Sequence, residues 1–274
     1  MISALALLSS LLWGTADFFG GVASRRMRSL TVVGWSQAFG LVLVAVVELA
    51  SGGPDGTRWL PWAITAGLVG MAGLTCFYAA LASGTMGVVS PIAALGAIVP
   101  VLAGLLSGDR LTRWQVAGMV IGLIGAVTAS GPELTGGMRG RSVMLAGIAG
   151  LAFGVAQLAI QRGSRSDPVA TMLGMRVTSV ATLLLLALVL RSLGGVRRAH
   201  LPILVITGVA DVSANLLYGL SSARGTPSVV AVLGGLYPVA TVLLGAVFLG
   251  ERMMPVQRAG VGCAMIGIVL LAAG

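Results

Sequence analysis

The stretch "LLWGTADFFGGVASRR", residues 11–26, decides the fold because a second stretch resembles it 140 residues later. That second stretch is "LAFGVAQLAIQRGSRS", residues 151–166, in which Gly154 falls on Gly14. Both segments place an aromatic residue and, four positions later, a polar side chain within an apolar run. The pair predicts that the chain contains two copies of one helical unit.

The repeat extends beyond these two segments. Tyr218 falls on Tyr78 at the same offset. "GTPSVVAVLGGLYPVATVLLGAVFLGER" (225–252) aligns with "GTMGVVSPIAALGAIVPVLAGLLSGDR" (84–110) with one additional residue. Chance similarity between apolar helices would not keep one order and one offset. We therefore divide the chain into a first repeat at 1–130, a linker at 131–142 and a second repeat at 143–274.

The composition indicates that lipid is the solvent of this chain. Hydrophobic residues make up 57% of it and charged residues only 9%, and its mean hydropathy is +1.02. Soluble domains carry roughly 25% charged residues. All 17 basic residues are Arg, and nearly all lie in short gaps between apolar runs, as in proteins that cross a membrane several times. The net charge of +9 therefore does not indicate a nucleic-acid partner.

The apolar runs predict an all-α integral membrane protein, because about 20 apolar residues are needed to cross the hydrocarbon core. Breaks at Arg clusters, Pro and Gly-rich segments give ten spans, at 3–24, 30–50, 60–82, 87–106, 112–130, 143–162, 169–190, 201–221, 227–249 and 255–273. Five spans per repeat mean that the second repeat enters the membrane from the opposite side. Secondary transporters with such inverted repeats bind their substrates near the bilayer midplane.

Two short motifs indicate a family. Tyr-Pro at 237–238, followed by Gly-Glu-Arg at 250–252, resembles the signature of the EamA family of the drug/metabolite transporter superfamily. "LLWG" in span 1, the five-helix repeat and the chain length are similar as well. The first repeat departs from this pattern, because Gly-Ala at 96–97 stands in place of Tyr-Pro and Asp109 replaces Glu.

The resemblance implies a ten-helix transporter in the cell membrane, with both termini in the cytoplasm and a central cavity lined mainly by spans 1, 3, 4, 6, 8 and 9. Members of the family export or import amino acids, nucleotides, sugars or drugs. The distribution of Arg favours the opposite orientation, because the loops after odd-numbered spans carry ten Arg and the alternate loops carry six. We follow the family topology and expect cytoplasmic termini.

Ionisable residues inside the spans are the first candidates for a site, because a charge at the bilayer centre costs about 2.5–3.5 kcal/mol. Asp17 in span 1 and Asp211 in span 8 have side chains too short to reach the interface. Arg176 in span 7 has a stem long enough to do so. It could instead line a cavity or hold an aspartate as an internal ion pair. Glu48, in the last turn of span 2, is assigned to the interface.

Polar residues at helical spacing extend this set. In span 8, polar residues recur at intervals of three or four positions, which predicts that they share an interior face. They are Thr207, Asp211, Asn215, Tyr218 and Ser222. Hydrogen bonding between helices is the alternative explanation for such a stripe. The set predicted to bind substrate or couple to protons is Asp17, Asp211, Trp13, Tyr78, Gln157, Asn215, Tyr237 and Arg176. Its aromatic members would form cavity walls, and its amides would orient the solute.

Enzyme chemistry is not indicated by the sequence. There is no Lys for a Walker loop, His200 is the only histidine, and no GxSxG, CxxC or metal-ligand cluster is present. We therefore predict a protein that is not an enzyme and that needs no cofactor and no metal. The expected partners are a small-molecule substrate and membrane lipid. The Gly residues of spans 5 and 10 either pack inside the chain or support a homodimer.

The predicted function is secondary active or facilitative transport, with export expected, of small metabolites, amino acids or drugs by alternating access. Asp17 or Asp211 would take up a proton or pair with a cationic group of the substrate. The alternative is a non-transporting membrane scaffold or a subunit of a larger membrane complex. A channel is less consistent with the sequence, because no ring of like residues that would line a pore is visible.

Overall fold

The computed structural model describes residues 2–83, 86–130, 140–189, 191, 195–248 and 254–273. The regular structure within these ranges is entirely helical, as the sequence predicts. The helices are α1 (Ile2–Ser24), α2 (Ser29–Ser51), α3 (Leu60–Ser83), α4 (Met86–Ala94), α5 (Ile98–Leu106), α6 (Arg113–Ser130), α7 (Gly140–Ser164), α8 (Pro168–Val189), α9 (Leu201–Arg224), α10 (Pro227–Gly234), α11 (Tyr237–Phe248) and α12 (Pro255–Ala273). The Gly-Glu-Arg motif at 250–252 and most of the predicted linker lie outside the described residues.

Each predicted span corresponds to one helix or to two consecutive helices. Spans 4 and 9 consist of two short helices each, α4 with α5 and α10 with α11. In the described part of the chain, seven segments are long and apolar enough to cross a membrane: Ile2–Ser24, Ser29–Ser51, Leu60–Ser83, Gly140–Ser164, Pro168–Val189, Arg198–Arg224 and Pro227–Gly245. The chain is therefore a helical membrane protein with several spans, and the full number of ten stays a prediction.

The helix packing follows the sequence repeat. The first helix of each repeat packs against the third helix of the other, so that α1 contacts α9 and α7 contacts α3. The second helix of each repeat also packs against the third helix of the other, so that α2 contacts α9 and α8 contacts α3. Each of these contacts therefore has a counterpart in which the two repeats exchange roles. The two repeats therefore form one interlocked bundle, with their shared surface at its centre.

The two broken spans are interrupted at corresponding places. A 3-10 turn at Leu95–Ala97 separates α4 from α5, and residues 235–236 separate α10 from α11. A break frees backbone groups from the helical hydrogen-bond ladder, so it is tolerated at membrane depth only inside protein or beside a cavity. The matching breaks therefore indicate that each is packed against protein, the first against α7 and the second against α1.

Glycine is required where a helix crosses each break. A Cβ atom at Gly154 in α7 would lie 2.3 Å from the backbone oxygen of Gly96, at the first break. A Cβ atom at Gly14 in α1 would lie 2.7 Å from the backbone oxygen of Tyr237, at the second break. The two glycines that align in the sequence thus occupy equivalent close contacts.

Helices α6 and α12 pack against each other through their glycines. A Cβ atom at Gly118 would lie 2.9 Å from the backbone oxygen of Gly267, and one at Gly125 would lie 2.3 Å from the backbone nitrogen of Ala264. The glycine faces of spans 5 and 10 are therefore used inside the chain. A homodimer through these helices would have to use their outer apolar faces, which include Val120 and Val269.

The two ends of the chain lie at the same end of the bundle. The hydroxyl of Ser221, near the end of α9, donates a hydrogen bond to the backbone oxygen of Ile2 at 3.0 Å. Ile2 and Leu271 also line one pocket at that end. An even number of membrane crossings brings the termini to one side, so this placement is consistent with ten spans.

Candidate functional site

A cavity of about 70 Å³ lies between the repeats, which is room for several water molecules. Its walls come from α1, α2 and α3 of the first repeat and from α7, α8, α9 and α11 of the second. Most of the lining residues lie near the middle of their helices. Seven of the eight predicted site residues line this cavity: Trp13, Asp17, Gln157, Arg176, Asp211, Asn215 and Tyr237.

Arg176 is held by an internal ion pair. Its Nη2 atom donates to Oδ2 of Asp211 at 2.7 Å, and its Nη1 atom donates to Oε1 of Gln37. The side chain of Arg176 is 2% exposed and that of Asp211 is 13% exposed. Of the roles considered from the sequence, Arg176 therefore combines two, because it lines the cavity and neutralises an aspartate.

Amide and hydroxyl groups complete this network. Asn215 Nδ2 donates to the backbone oxygen of Asp211 at 2.6 Å and to its Oδ1 atom at 3.2 Å. Gln37 Nε2 donates to Oδ2 of Asp211 at 3.4 Å, and Gln37 Oε1 accepts from the Ser179 hydroxyl at 3.0 Å. The Asp211 carboxylate is thus oriented from α2, α8 and α9 together.

Gln37 and Ser179 are site residues that the sequence analysis missed. The prediction for span 2 covered its ionisable residue, Glu48, and omitted the amide in mid-span. The sequence does contain a signal for Gln37, because it is a large polar side chain near the centre of an apolar segment. Glu48 itself is buried in the last turn of α2 and does not line the cavity.

Unlike Asp211, Asp17 has no protein partner among the described residues. Its side chain lines the cavity and the residue is 6% exposed. Among the described residues, no hydrogen bond or ion pair to Asp17 is found. Within the same part of the chain, the buried Oε1 atom of Gln157 and the buried hydroxyl of Tyr237 also lack partners. Together with the buried Nε atom of Arg176, which also lacks a partner there, four polar groups of cavity-lining residues are unsatisfied by the described part of the protein.

Tyr78 does not line the cavity, although the sequence suggested it as an aromatic wall. It is fully buried, and its hydroxyl donates to the backbone oxygen of Ala16 at 3.3 Å. A Cβ atom at Gly20 would lie 2.2 Å from the Tyr78 ring. Its repeat counterpart, Tyr218, is fully buried too and accepts a hydrogen bond from Gln161 at 2.7 Å. Both tyrosines fix the packing of a third helix on a first helix.

The polar stripe of span 8 faces the interior, as its spacing predicts. Asp211 and Asn215 line the cavity, whereas Thr207, Tyr218 and Ser222 are buried in helix contacts beyond it. The set of cavity helices differs from the one that the family resemblance implies. Among the described side chains, α4 and α5 of span 4 contribute none to the wall, and α2 and α8 contribute Gln37, Met175, Arg176 and Ser179.

Comparisons with known proteins identify the family and the fold of the chain. The model of the EamA-like transporter family matches residues 1–131 and again residues 140–273. A crystal structure that is 20% identical in sequence superposes with a TM-score of 0.82 over 99% of this chain and 98% of that chain, which shows a shared fold. No curated protein matches the chain significantly. Since the family model covers almost the whole chain in two successive matches, the chain belongs to the EamA-like transporter family.

Proposed function

We propose that this protein transports a small polar or amphipathic metabolite, amino acid or drug by alternating access, and that the cavity between the repeats is its substrate site. The observation that carries the proposal is the cavity wall itself. It combines a carboxylate that has no partner among the described residues, a buried ion pair and aromatic side chains, and residues of both repeats contribute to it. A scaffold needs no unsatisfied polar groups at the meeting surface of two repeats.

The broken spans and their glycine contacts support the alternating mechanism. Discontinuous helices at a midplane site are typical of secondary transporters built from inverted repeats. The break beside Gly154 and the break beside Gly14 are equivalent, so the first repeat can adopt the conformation of the second and the second that of the first. This exchange would convert an inward-open state into an outward-open state of similar energy. The sequence has no Lys and therefore no Walker ATP-binding loop, so the gradient of the substrate or of an ion would drive transport.

The proposed topology has ten spans in the cell membrane, with both termini in the cytoplasm. The placement of Ile2 and Leu271 at one end of the bundle supports termini on a common side. Fusing a reporter that fluoresces only in the cytoplasm to each terminus in turn tests this orientation. Fluorescence from both fusions is expected. Two dark fusions with intact protein would instead favour the orientation that the Arg distribution suggests.

Access to the cavity from each side of the membrane tests the transport function without knowledge of the substrate. Replacing Cys76 and Cys263 by Ala gives a cysteine-free background, and Ala156→Cys then places one thiol on the cavity wall. A membrane-impermeant thiol reagent is added to sealed vesicles of either orientation. We expect modification from both sides, with no steady ion conductance across the membrane.

Ala146→Cys is the matched control, because Ala146 is a fully buried residue of the same helix that does not line the cavity. Its thiol should react from neither side. If the thiol at position 156 is equally unreactive from both sides, the protein is not an alternating-access transporter and the scaffold function is favoured. Reaction from both sides together with a steady conductance would indicate a channel instead.

A further inference from the structure

We propose that the cavity selects a small organic cation that carries an ammonium group, and that Asp17 is its counter-ion. This inference rests on the transport function proposed above and specifies the class of substrate at the same site. It follows from the charges that the protein itself neutralises, from the polar atoms that it leaves unpaired, and from the aromatic residues beside them.

The charges on the cavity wall leave one carboxylate without compensation. Two acidic side chains, Asp17 and Asp211, and one basic side chain, Arg176, line the cavity. Arg176 directs Nη2 to Asp211 and Nη1 to Gln37 in the network on α2, α8 and α9. Its Nε atom has no partner in the described part of the chain, but it is buried beside Gly40 of α2. Asp17, on α1, has no ion pair or hydrogen bond within the described residues. A buried charge is costly without a partner, so an occupant that supplies positive charge is favoured.

The unpaired polar atoms match the donors of an ammonium group. Such a group has three N–H donors and no acceptor, like the side chain of Lys. The wall offers the Asp17 carboxylate, the Oε1 atom of Gln157 and the Tyr237 hydroxyl, and the latter two have no partner in the part of the chain that the structure describes. Gln157 aligns with Asp17 in the repeat, so the charged and the neutral acceptor come from equivalent places on α1 and α7.

Aromatic side chains shape the rest of the wall. Trp13, Phe153 and Tyr237 line the cavity, and Trp13 packs on Tyr218 with ring centroids 5.2 Å apart. Aromatic faces attract cations and also bury apolar surface. The remaining lining is mostly Ala, Gly, Met and Leu. The cavity therefore suits an amine with an apolar body better than a polyol or a sugar.

Because Arg176 is already paired with Asp211, the cavity disfavours zwitterionic and anionic substrates. A substrate carboxylate would need a cationic partner, and Arg176 is the one basic residue on the described wall of the cavity. Its Nη atoms already serve Asp211 and Gln37. An amino acid would therefore bury its carboxylate unpaired, or it would have to break the Arg176–Asp211 pair, and either change costs binding energy.

Calorimetric titration of the purified protein with three related probes tests this selectivity. Phenethylamine carries the ammonium alone, phenylalanine adds a carboxylate to it, and 2-phenylethanol replaces it with a neutral hydroxyl. Binding is measured instead of flux because the neutral form of an amine crosses lipid without a carrier. We expect phenethylamine to bind at least tenfold more tightly than either of the other probes.

Asp17→Asn should weaken phenethylamine binding roughly 10- to 100-fold, the equivalent of one hydrogen bond to a charged group. Glu48→Gln is the matched control, because it removes a buried carboxylate that does not line the cavity, and it should leave the affinity unchanged. Equal binding of phenylalanine, no binding of phenethylamine, or unchanged amine binding by Asp17→Asn overturns the inference. None of these results affects thiol access at position 156, so transport can be upheld while this substrate class is rejected.

Discussion

Arg176 and Asp211 form a direct ion pair across the α8–α9 contact, with Nη2 and Oδ2 2.7 Å apart. Asp17, which lines the same cavity from α1, has no ion pair or hydrogen bond among the described residues. Two aspartates that look equivalent in the sequence therefore have different surroundings. One completes the protein's internal structure, and the other is left for a ligand. This difference predicts that the two residues respond in opposite ways to the same substitution.

Asp211→Asn should destabilise the protein by on the order of 3 kcal/mol, because it leaves the guanidinium of Arg176 buried without its partner. Asp17→Asn should leave the free energy of unfolding unchanged or raise it, since it removes a buried carboxyl group that has no partner among the described residues. Thermal unfolding in detergent measures both effects, and a melting temperature several degrees lower is expected for Asp211→Asn alone. Equal losses in the two variants would contradict the assignment of separate roles.

Moving the carboxylate to the equivalent place in the other repeat should move the cation site with it. Asp17→Asn combined with Gln157→Glu keeps the shapes of both side chains and transfers the charge from α1 to α7. We expect the double variant to bind phenethylamine within about tenfold of the wild type, because one hydrogen bond to a charged group is worth about 1.5–3 kcal/mol. Calorimetric titration makes the comparison. A double variant as weak as Asp17→Asn alone would show that the charge at position 157 does not reach the ligand.

The roles of the two tyrosines can be separated by removing their hydroxyls. Tyr78→Phe should lose about 0.6 kcal/mol of stability, typical of a hydrogen bond between membrane helices, and should leave ligand affinity unchanged. Tyr237→Phe should do the reverse, because Tyr237 lines the cavity and its hydroxyl has no partner among the described residues. Paired measurements of thermal stability and phenethylamine affinity test both variants. Loss of affinity in Tyr78→Phe with no loss in Tyr237→Phe would reverse the assignment.

The sequence predicts the broad architecture well because the repeat is visible in it. An alignment that places Gly154 on Gly14 correctly matches two helices that cross equivalent breaks. The spacing in span 8 correctly predicts an inward stripe, because a polar face against lipid is costly. The exchange of first and third helices between repeats was not predicted, since hydrophobic spacing shows which face is buried but does not identify the helix that covers it.

The site could be predicted only in part, for two physical reasons. Helical spacing places Tyr78 on an inward face, but it does not distinguish a cavity wall from a helix contact. The close approach of Gly20 to the Tyr78 ring and the hydrogen bond from its hydroxyl to Ala16 show that this residue packs against α1. Gln37 was missed because it neither aligns with an ionisable residue of the other repeat, as Gln157 does, nor lies one helical turn from one, as Asn215 does. Its importance arises from Arg176, which is 139 residues away in the chain.

Replacing the glycine that contacts the first break should lower the stability of the protein through one local contact. Gly154→Ala should cost about 1–3 kcal/mol of stability, because the new Cβ atom would meet the backbone oxygen of Gly96 at 2.3 Å. Gly147→Ala, in the same helix, is the matched control, because nothing lies within 4 Å of a Cβ atom there. That control should be neutral or stabilising by about 0.5–1 kcal/mol, the usual gain from replacing a helical Gly. Thermal unfolding of both variants tests this contact, and equal effects would contradict it.

The most direct test of transport through this cavity is the rate at which a thiol at position 156 reacts with an impermeant reagent from each side of the membrane. The rate is measured with and without saturating phenethylamine. We expect reaction from both sides without the amine and slower reaction from both sides in its presence, because one ligand would occupy one site that opens alternately. A thiol at position 156 that reacts from neither side, whether or not the amine is present, would contradict the proposed mechanism.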